Sequence, residues 1–241
     1  MKPLNVETTT DLEVWRAETA LTKEPGTVKW IQAQTQPGDV FYDIGANIGI
    51  YALMAAEYVG DEGQVYAFEP HVPNAKSLLN NITLNPGGAR IQVVTSALHN
   101  ENGFFPFNYS KLKAGSSGHQ LATTTGEYGR VFVPVATELK HSVTIEWLIR
   151  HQVIRPATLI KLDVDGNEIL ILQGMEGWIE RSALRSIQVE VHPVDEVRVT
   201  QFMERHGFRL IQRHYTAYGQ AALEQGYNVE SIPANAVFCR V

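Results

Sequence analysis

Short apolar runs alternate with longer amphipathic segments along most of this chain. The apolar runs predict buried β-strands, at residues 40–44, 64–68, 90–95, 158–164, 186–191, 208–211 and 236–240. Apolar residues at helical spacing, bounded by Gly, Pro and Asn, predict helices at residues 27–34, 48–58, 74–84, 141–151 and 195–206. Because strands alternate with helices, the pattern predicts an α/β fold with a mostly parallel sheet.

Two segments depart from this alternation. Residues 1–36 contain a short helix from about Leu12 and a second helix before the first strand, so we expect an N-terminal helical cap. Residues 101–135 carry two short predicted strands, 103–109 and 130–135, which enclose about twenty residues rich in Gly, Ser and Thr. A stretch of this kind is usually a functional lid. We therefore expect a β insertion with a lid, within a single domain that spans residues 1–241.

Composition narrows the class of protein. A chain of 241 residues with 44% hydrophobic residues can build one sizeable core. The net charge of −6 argues against general nucleic-acid binding, which requires a basic patch. Cys239 is the only cysteine, so no internal disulfide forms, and no apolar run approaches the roughly twenty residues of a membrane span. We expect a cytoplasmic protein without a membrane span or a nucleic-acid partner, and its oligomeric state stays open.

The loop after the first strand carries the most specific chemistry. It reads Asp43-Ile-Gly45-Ala-Asn47-Ile-Gly49, whereas a pyrophosphate-binding loop has three glycines in the spacing G-x-G-x-x-G. Asp43 would repel a phosphate but would accept hydrogen bonds from a cationic ligand. Glycine allows the backbone to approach a ligand closely. The loop therefore predicts a cationic ligand at the carboxyl end of the strand, and the alternative is an ordinary turn with an incidental Asp.

An acidic residue also closes the second strand. The run at residues 64–68 is followed by Glu69 and Pro70, and Pro70 marks the strand end. An acid at this position can bind both ribose hydroxyls of a nucleoside. NAD sites and S-adenosylmethionine sites share this feature. Because the first loop lacks the phosphate-binding glycines, we favour S-adenosylmethionine, with an NAD(P)-binding oxidoreductase as the alternative.

Charged residues lie on a strand that is otherwise apolar. Alternation along residues 158–164 places Lys161 and Asp163 on one face. Charges on a central strand are costly unless they are paired or functional. We therefore expect Asp163, at the carboxyl end of the strand, to face the active site, with Lys161 orienting or neutralising it.

Three motifs together resemble those of the FkbM-type methyltransferases. They are residues 43–51, which contain the first loop, residues 68–70, which contain Glu69, and residues 160–168, Ile-Lys-Leu-Asp-Val-Asp-Gly-Asn-Glu. The resemblance extends from about residue 15 to residue 192. It implies a class I methyltransferase (Rossmann-like) fold, with a seven-stranded mostly parallel sheet and helices on both faces. It also implies O-methylation of a sugar or polyketide-type natural product, with S-adenosylmethionine as the methyl donor.

The resemblance implies further cofactor contacts. In proteins similar to this one, the Lys-Glu-Pro stretch lies near the cofactor, which suggests Glu24, with Lys23 beside it. Related methyltransferases hold the adenine just past the third strand, which suggests Ser96 and Ala97. Both assignments have a structural alternative: a solvated charge pair before a helix, and a plain strand-to-loop junction.

The acids after Asp163 allow two interpretations. Asp165 and Glu168 have the spacing of a capping box before the apolar run at residues 169–172, and we favour that structural role. Asp163, Asp165 and Glu168 also offer the oxygen ligands of a magnesium site, which some class I O-methyltransferases use. Mg²⁺ is therefore an open alternative that we do not favour, and we assign no metal ligand.

The expected mechanism is in-line methyl transfer to a hydroxyl of a small-molecule or sugar acceptor. Asp163 is our first candidate for positioning or deprotonating that hydroxyl. His192, which follows the fifth strand, and His119, in the lid, are alternative bases, although either can be purely structural. A non-catalytic S-adenosylmethionine-binding protein is the remaining rival. The lid also contains Lys111, Lys113, Tyr128 and Arg130, which we expect near the acceptor.

Overall fold

A seven-stranded sheet forms the centre of the protein. The structure is a computed structural model that describes residues 3–85, 90–126 and 131–241. The strands of the central sheet are β1 (Val40–Ile44), β2 (Gln64–Phe68), β3 (Arg90–Val94), β8 (Leu159–Leu162), β9 (Ser186–Val191), β10 (Phe208–His214) and β11 (Ala234–Arg240). Their order is β10-β11-β9-β8-β1-β2-β3. All neighbours pair in parallel except β11, which runs antiparallel to both β9 and β10. The expected mostly parallel sheet is confirmed.

Helices cover both faces of this sheet. The helices of the described residues are α1 (Asp11–Thr19), α2 (Pro25–Gln34), α3 (Ile50–Val59), α4 (Val72–Leu84), α5 (Ile145–Arg150), α6 (Glu168–Gln173), α7 (Glu176–Ile179), α8 (Glu196–Arg205) and α9 (Ala217–Glu224). Alternation along β1 divides the core, because Tyr42 joins one apolar cluster and Phe41 joins the cluster on the opposite face. The central strands are buried on both faces, which explains why they read as continuous apolar runs.

A second, four-stranded sheet forms the insertion and corrects two expectations. It contains β4 (Ala97–Leu98), β5 (Gly103–Tyr109), β6 (Gln120–Leu121) and β7 (Ala136–Val143), in the order β4-β7-β5-β6. The partner of β5 is β7, so the prediction of a strand at 130–135 was wrong, and residues 127–130 lie outside the described part of the chain. The helix expected from residue 141 begins only at Ile145, after Thr144, whose side chain caps it.

The composition of β7 explains these errors. Leu139 is 69% exposed, whereas Lys140 and Ser142 are buried, so the strand lacks a clear apolar face. The expected N-terminal helices are present as α1 and α2, whereas α9 was not predicted. No helix in the described ranges is both long and apolar enough to cross a membrane.

Candidate active site

One cavity of about 610 Å³ opens at the carboxyl ends of β1, β2, β8 and β9. This volume lies within the range of small-molecule sites. Gly45, Asn47 and Glu69 line the cavity beyond β1 and β2, and Asp163 and His192 line it beyond β8 and β9. The edge predicted from the open-sheet rule is therefore the edge where these side chains meet.

The loop after β1 requires glycine for two different reasons. Gly45 has φ +83°, and its N–H donates to the Phe68 carbonyl at 3.0 Å. A Cβ on Gly45 would lie 1.7 Å from the Asp163 carbonyl oxygen, so this loop and the end of β8 are in backbone contact. Gly49 has φ +90°, precedes α3, and packs against Leu78 rather than the cavity. Gly45 therefore sets the shape of the site, and Gly49 sets the start of the helix.

Glu69 is fixed from both sides by backbone donors. Its Oε2 accepts from the Asn47 N–H at 2.7 Å, and its Oε1 accepts from the His71 N–H at 2.8 Å. The side chain is buried at the cavity wall. Burial outweighs these two hydrogen bonds and raises the pKa of Glu69 to about 7. Each carboxylate oxygen retains acceptor capacity for a ligand hydroxyl.

Lys161 is the cation between two acids of the central strands. It is fully buried, donates from Nζ to Asp163 Oδ2 at 2.9 Å, and lies 3.8 Å from Asp43 Oδ1. Burial, opposed by Lys161, raises the pKa of Asp43 to about 6. Burial also disfavours the charge on Asp163, but Lys161 and Lys23 hold the pKa of Asp163 well below its usual range. Asp43 lies beneath the cavity and not on its wall, whereas Asp163 opens onto it.

The acids beyond β8 are arranged differently from the expected capping box. Helix α6 begins at Glu168 behind Asn167, and Glu168 Oε1 accepts from the N–H groups of Val164 and Gly166. Asp165 has φ +62° and accepts from the Gly118 N–H at 2.7 Å. The capping-box prediction is therefore wrong for Asp165, because the left-handed turn directs the chain away from the geometry that a cap requires.

Three carboxylates converge in the cavity, with Glu190 in place of Glu168. Asp163, Asp165 and Glu190 each offer an oxygen within 4.8 Å of the others, which is a donor set that could hold a divalent cation. Lys161 already compensates part of this negative charge. Glu190 lies two residues before His192, so alternation along the predicted strand was the signal that could have identified it.

His192 is a buried imidazole at the same edge. It is 4% exposed, and its Nε2 lies 3.7 Å from Glu190 Oε2. Burial lowers the pKa of His192, although Asp165 and Asp163 oppose that effect. Burial therefore favours the neutral imidazole, which is the form that can accept a proton.

His119 is integrated into the lid. Its ring stacks on His71 with a centroid distance of 3.8 Å, its Nδ1 accepts from the Ser110 N–H at 3.2 Å, and its Nε2 lies 3.2 Å from Ser116 Oγ. Burial, reinforced by His71, lowers the pKa of His119 to about 3. Although His119 lines the cavity, these contacts favour a structural role over proton transfer.

Part of the predicted lid segment is hydrogen-bonded to the loop after β1 and to α4. Asn47 Nδ2 and Asn74 Nδ2 both donate to the Ser116 carbonyl, at 2.9 and 3.0 Å. Asn74 Oδ1 also accepts from the Gly115 N–H at 2.8 Å. From this segment, Ser116, Ser117, His119 and Leu121 line the cavity. Lys111 and Lys113, which were expected near the acceptor, do not line it, and Lys113 pairs with Asp11 instead. Tyr128 and Arg130, expected near the acceptor, lie outside the described residues.

The remaining expected cofactor residues occupy two places. Ser96 and Ala97 line the main cavity, where Ala97 begins β4. Glu24 is buried, pairs with Lys23 at 2.7 Å, and borders a smaller adjoining cavity together with Lys161.

Part of the cavity wall was not anticipated. The segment between β10 and β11 contributes Thr216, Tyr218 and residues 231–233, and α1 contributes Trp15 and Arg16. These residues come from connectors and a terminal helix with no motif spacing. Only the tertiary structure brings them to the sheet edge.

The sheet order, the antiparallel β11 and the site at the carboxyl edge of β1 and β2 define a class I S-adenosylmethionine methyltransferase fold. The strands run in the order that this fold requires, and Gly45, Asn47 and Glu69 line the cavity at the carboxyl edge of the sheet. The chain belongs to the family described as "Methyltransferase FkbM domain", whose profile matches residues 43–210.

Named relatives are consistent with this assignment. The hexuronic acid methyltransferase AglP of Haloferax volcanii is 24% identical over 192 residues, which cover 79% of this chain and 72% of the relative. The 31-O-demethyl-FK506 methyltransferase FkbM of Streptomyces tacrolimicus is 28% identical over 218 residues, covering 80% and 81%. A crystal structure of methyltransferase FkbM from Methylobacillus flagellatus superposes with a TM-score of 0.53 at 14% identity, covering 96% of this chain and 55% of that one.

Proposed function

We propose that this protein transfers a methyl group from S-adenosylmethionine to a hydroxyl of a small-molecule or sugar acceptor. The observation that carries the proposal is a single cavity with two chemically different sides. Beyond β1 and β2 it presents a glycine loop and the buried acid Glu69, and beyond β8 and β9 it presents Asp163 and His192. The names of the relatives, which include a hexuronic acid methyltransferase and an O-demethyl-FK506 methyltransferase, support the class of acceptor.

The donor set fits the proposed cofactor. The Glu69 carboxylate is fixed by two backbone N–H groups and retains acceptor capacity for ribose hydroxyls. Gly45 and Asn47 would hold the amino-acid end, and Ser96 and Ala97 would contact the adenine. Asp43 would act from beneath the loop, through its electrostatic coupling to Lys161. Bound S-adenosylmethionine would supply an electrophilic methyl group, and an acid-rich cavity favours that positive charge.

The side chains beyond β8 and β9 would handle the acceptor. Lys161 fixes Asp163 in one orientation, so an Asp163 oxygen can accept a hydrogen bond from the acceptor hydroxyl and position it. His192 is buried, and burial favours its neutral form, so its imidazole can remove the hydroxyl proton as the new bond forms. Leu98, Phe107 and Leu121 line the same cavity and limit access of water.

The first experiment is binding and turnover with the intact protein. Calorimetric titration with S-adenosylhomocysteine and with NAD distinguishes the methyltransferase from the oxidoreductase alternative. A panel of sugars, hexuronic acids and polyketide alcohols, incubated with S-adenosylmethionine, is then analysed for methylated products by mass spectrometry. The panel is run with magnesium and with a chelator.

His192→Asn and Asp163→Asn test the assigned roles. For His192→Asn we expect kcat to fall about 100-fold or more, because general-base catalysis typically contributes that much. Asp163→Asn should also lower kcat by about 100-fold, because misplacing the acceptor can cost that much. His151→Asn, on an exposed histidine that does not line the cavity, is the matched control and should keep kcat within twofold. Binding of NAD alone, or no methylated product from any acceptor, would refute the proposed function.

A further inference from the structure

Arg16 borders two cavities at once. It lies on α1, half-buried, and lines both the main cavity and the smaller adjoining cavity of about 50 Å³. The smaller cavity is bounded by the glycine loop at Gly45 and Asn47 and by Glu24 and Lys161. It is therefore the part of the site nearest to where the amino-acid end of the cofactor is proposed to lie.

Among the described residues that line these cavities, Arg16 is the cation with no carboxylate in ion-pair range, although its charge acts on Glu69 from a longer distance. Lys23 pairs with Glu24 at 2.7 Å, and Lys161 pairs with Asp163 at 2.9 Å. Among the residues that the structure describes, no carboxylate lies within 4.0 Å of the Arg16 guanidinium. An arginine that faces a ligand cavity without a carboxylate in ion-pair range is suited to bind an anion, because its planar guanidinium matches the geometry of a carboxylate.

Arg16 is also hydrogen-bonded to the lid segment. Its Nε donates to the Gly115 carbonyl at 2.6 Å, which leaves the terminal amino groups available for a ligand. Gly115 has φ +83°, and a Cβ there would lie 2.9 Å from the Glu13 N, so the lid backbone lies directly against α1. A ligand bound by Arg16 would therefore hold the side chain in the conformation that supports the lid.

We propose that Arg16 binds the carboxylate of the amino-acid part of the cofactor and thereby makes cofactor binding stabilise the packing of the lid segment, residues 113–119, against α1. This inference rests on the proposed function. The cofactor is preferred to an acidic acceptor as the source of the carboxylate, because the smaller cavity lies against the glycine loop. Glu24, on the same small cavity, is then placed to accept from the ammonium group of that amino acid.

The test compares two ligands that differ only in the amino-acid part. S-adenosylhomocysteine carries the carboxylate, whereas 5′-methylthioadenosine keeps the nucleoside and the sulfur but lacks it. By calorimetry, Arg16→Gln should weaken S-adenosylhomocysteine about 10- to 100-fold, which is the range of a charged hydrogen bond, and should leave methylthioadenosine within twofold. Arg16→Lys, which keeps the charge, should recover part of the loss.

Lys113→Gln is the matched control for the lid. Lys113 pairs with Asp11 and anchors the same segment to α1, but it does not line either cavity. We expect this variant to keep both affinities within twofold. Hydrogen exchange should show that S-adenosylhomocysteine protects residues 113–119 in the wild type and not in Arg16→Gln.

The outcomes separate the inference from the proposed function. Equal weakening of both ligands by Arg16→Gln, or no weakening of either, would overturn the role of Arg16. Unchanged affinity for S-adenosylhomocysteine together with a raised KM for an acidic acceptor would also overturn it, since the carboxylate would then belong to the acceptor. If the wild type binds neither S-adenosylhomocysteine nor methylthioadenosine, the proposed function itself is refuted, and the inference about Arg16 with it.

Discussion

Glu69 makes cofactor binding depend on pH. In the free protein burial raises the pKa of this carboxyl to about 7, so it is half protonated at neutral pH. Ribose hydroxyls donate to the ionised form, which means that a protonated Glu69 must lose its proton before it binds both hydroxyls. Affinity should therefore rise with pH up to about 7 and level off above it.

The magnitude follows from the ionised fraction. With a pKa of about 7, that fraction is roughly 0.9 at pH 8 and roughly 0.1 at pH 6, so the affinity for S-adenosylhomocysteine should be about tenfold lower at pH 6. Glu69→Gln cannot titrate. It should bind about 10- to 100-fold more weakly at pH 8, because a charge-assisted hydrogen bond is lost, and its affinity should not change between the two pH values.

Calorimetry in two buffers of different ionisation enthalpy measures both the affinity and the number of protons released. The wild type should release close to one proton on binding at pH 6, and Glu69→Gln should release fewer. A tenfold pH dependence that persists in Glu69→Gln would show that another group is responsible. A wild-type affinity that is the same at pH 6 and pH 8 would refute the reasoning outright.

The same pKa predicts the pH dependence of stability. An acid whose pKa is raised from its usual 4.5 to about 7 binds more protons in the native state than in the unfolded state between these pH values. The free energy of unfolding of the wild type should therefore fall by about 3 kcal/mol, relative to Glu69→Gln, as pH rises from 4.5 to 7. Urea denaturation of both proteins provides an independent check without any ligand.

Two further substitutions test the centre of the sheet. Lys161→Met removes the buried cation between Asp163 and Asp43. It should lower the free energy of unfolding at neutral pH, measured in urea, by about 3–5 kcal/mol. Adding Asp163→Asn should recover part of this loss, because it removes one of the two uncompensated charges. Gly45→Ala introduces a Cβ that collides with the Asp163 carbonyl just past β8, so it should abolish binding of S-adenosylhomocysteine. Gly38 has a similar φ but open space around it. Gly38→Ala should therefore lower the free energy of unfolding by about 1 kcal/mol and keep binding. Equal effects of the two glycine variants would show that backbone strain alone accounts for the loss.

The buried strands could be predicted from the sequence because their apolar residues lie close together along the chain. The bounds of β2 and β9 agree with the sequence pattern, since β2 is apolar from Val65 to Phe68 and β9 alternates polar residues with Ile187, Val189 and Val191. The strand β7 escaped prediction because it buries Lys140 and exposes Leu139. In such a strand the pairing partner, and not local composition, determines the structure.

Some residues of the candidate site could also be predicted from the sequence pattern, and others could not. Period two along β8 placed Lys161 and Asp163 on one face, and the structure shows them hydrogen-bonded at 2.9 Å. The capping-box spacing of Asp165 and Glu168 was misleading, because the left-handed conformation at Asp165 cannot be read from spacing alone. Arg16 carries no motif, and only the tertiary structure brings it to the site.

The two sides of the cavity are formed by different kinds of chain segment, and this difference matters for engineering. The proposed donor-binding side belongs to loops fixed by the parallel strands, whereas Tyr218 and residues 231–233 belong to the connector between β10 and β11. Connectors tolerate exchange and changes of length far better than the strands of a sheet do. Chimeras that replace residues 216–233 with the corresponding segment of a relative would change the shape of one wall of the cavity and leave the strand register intact.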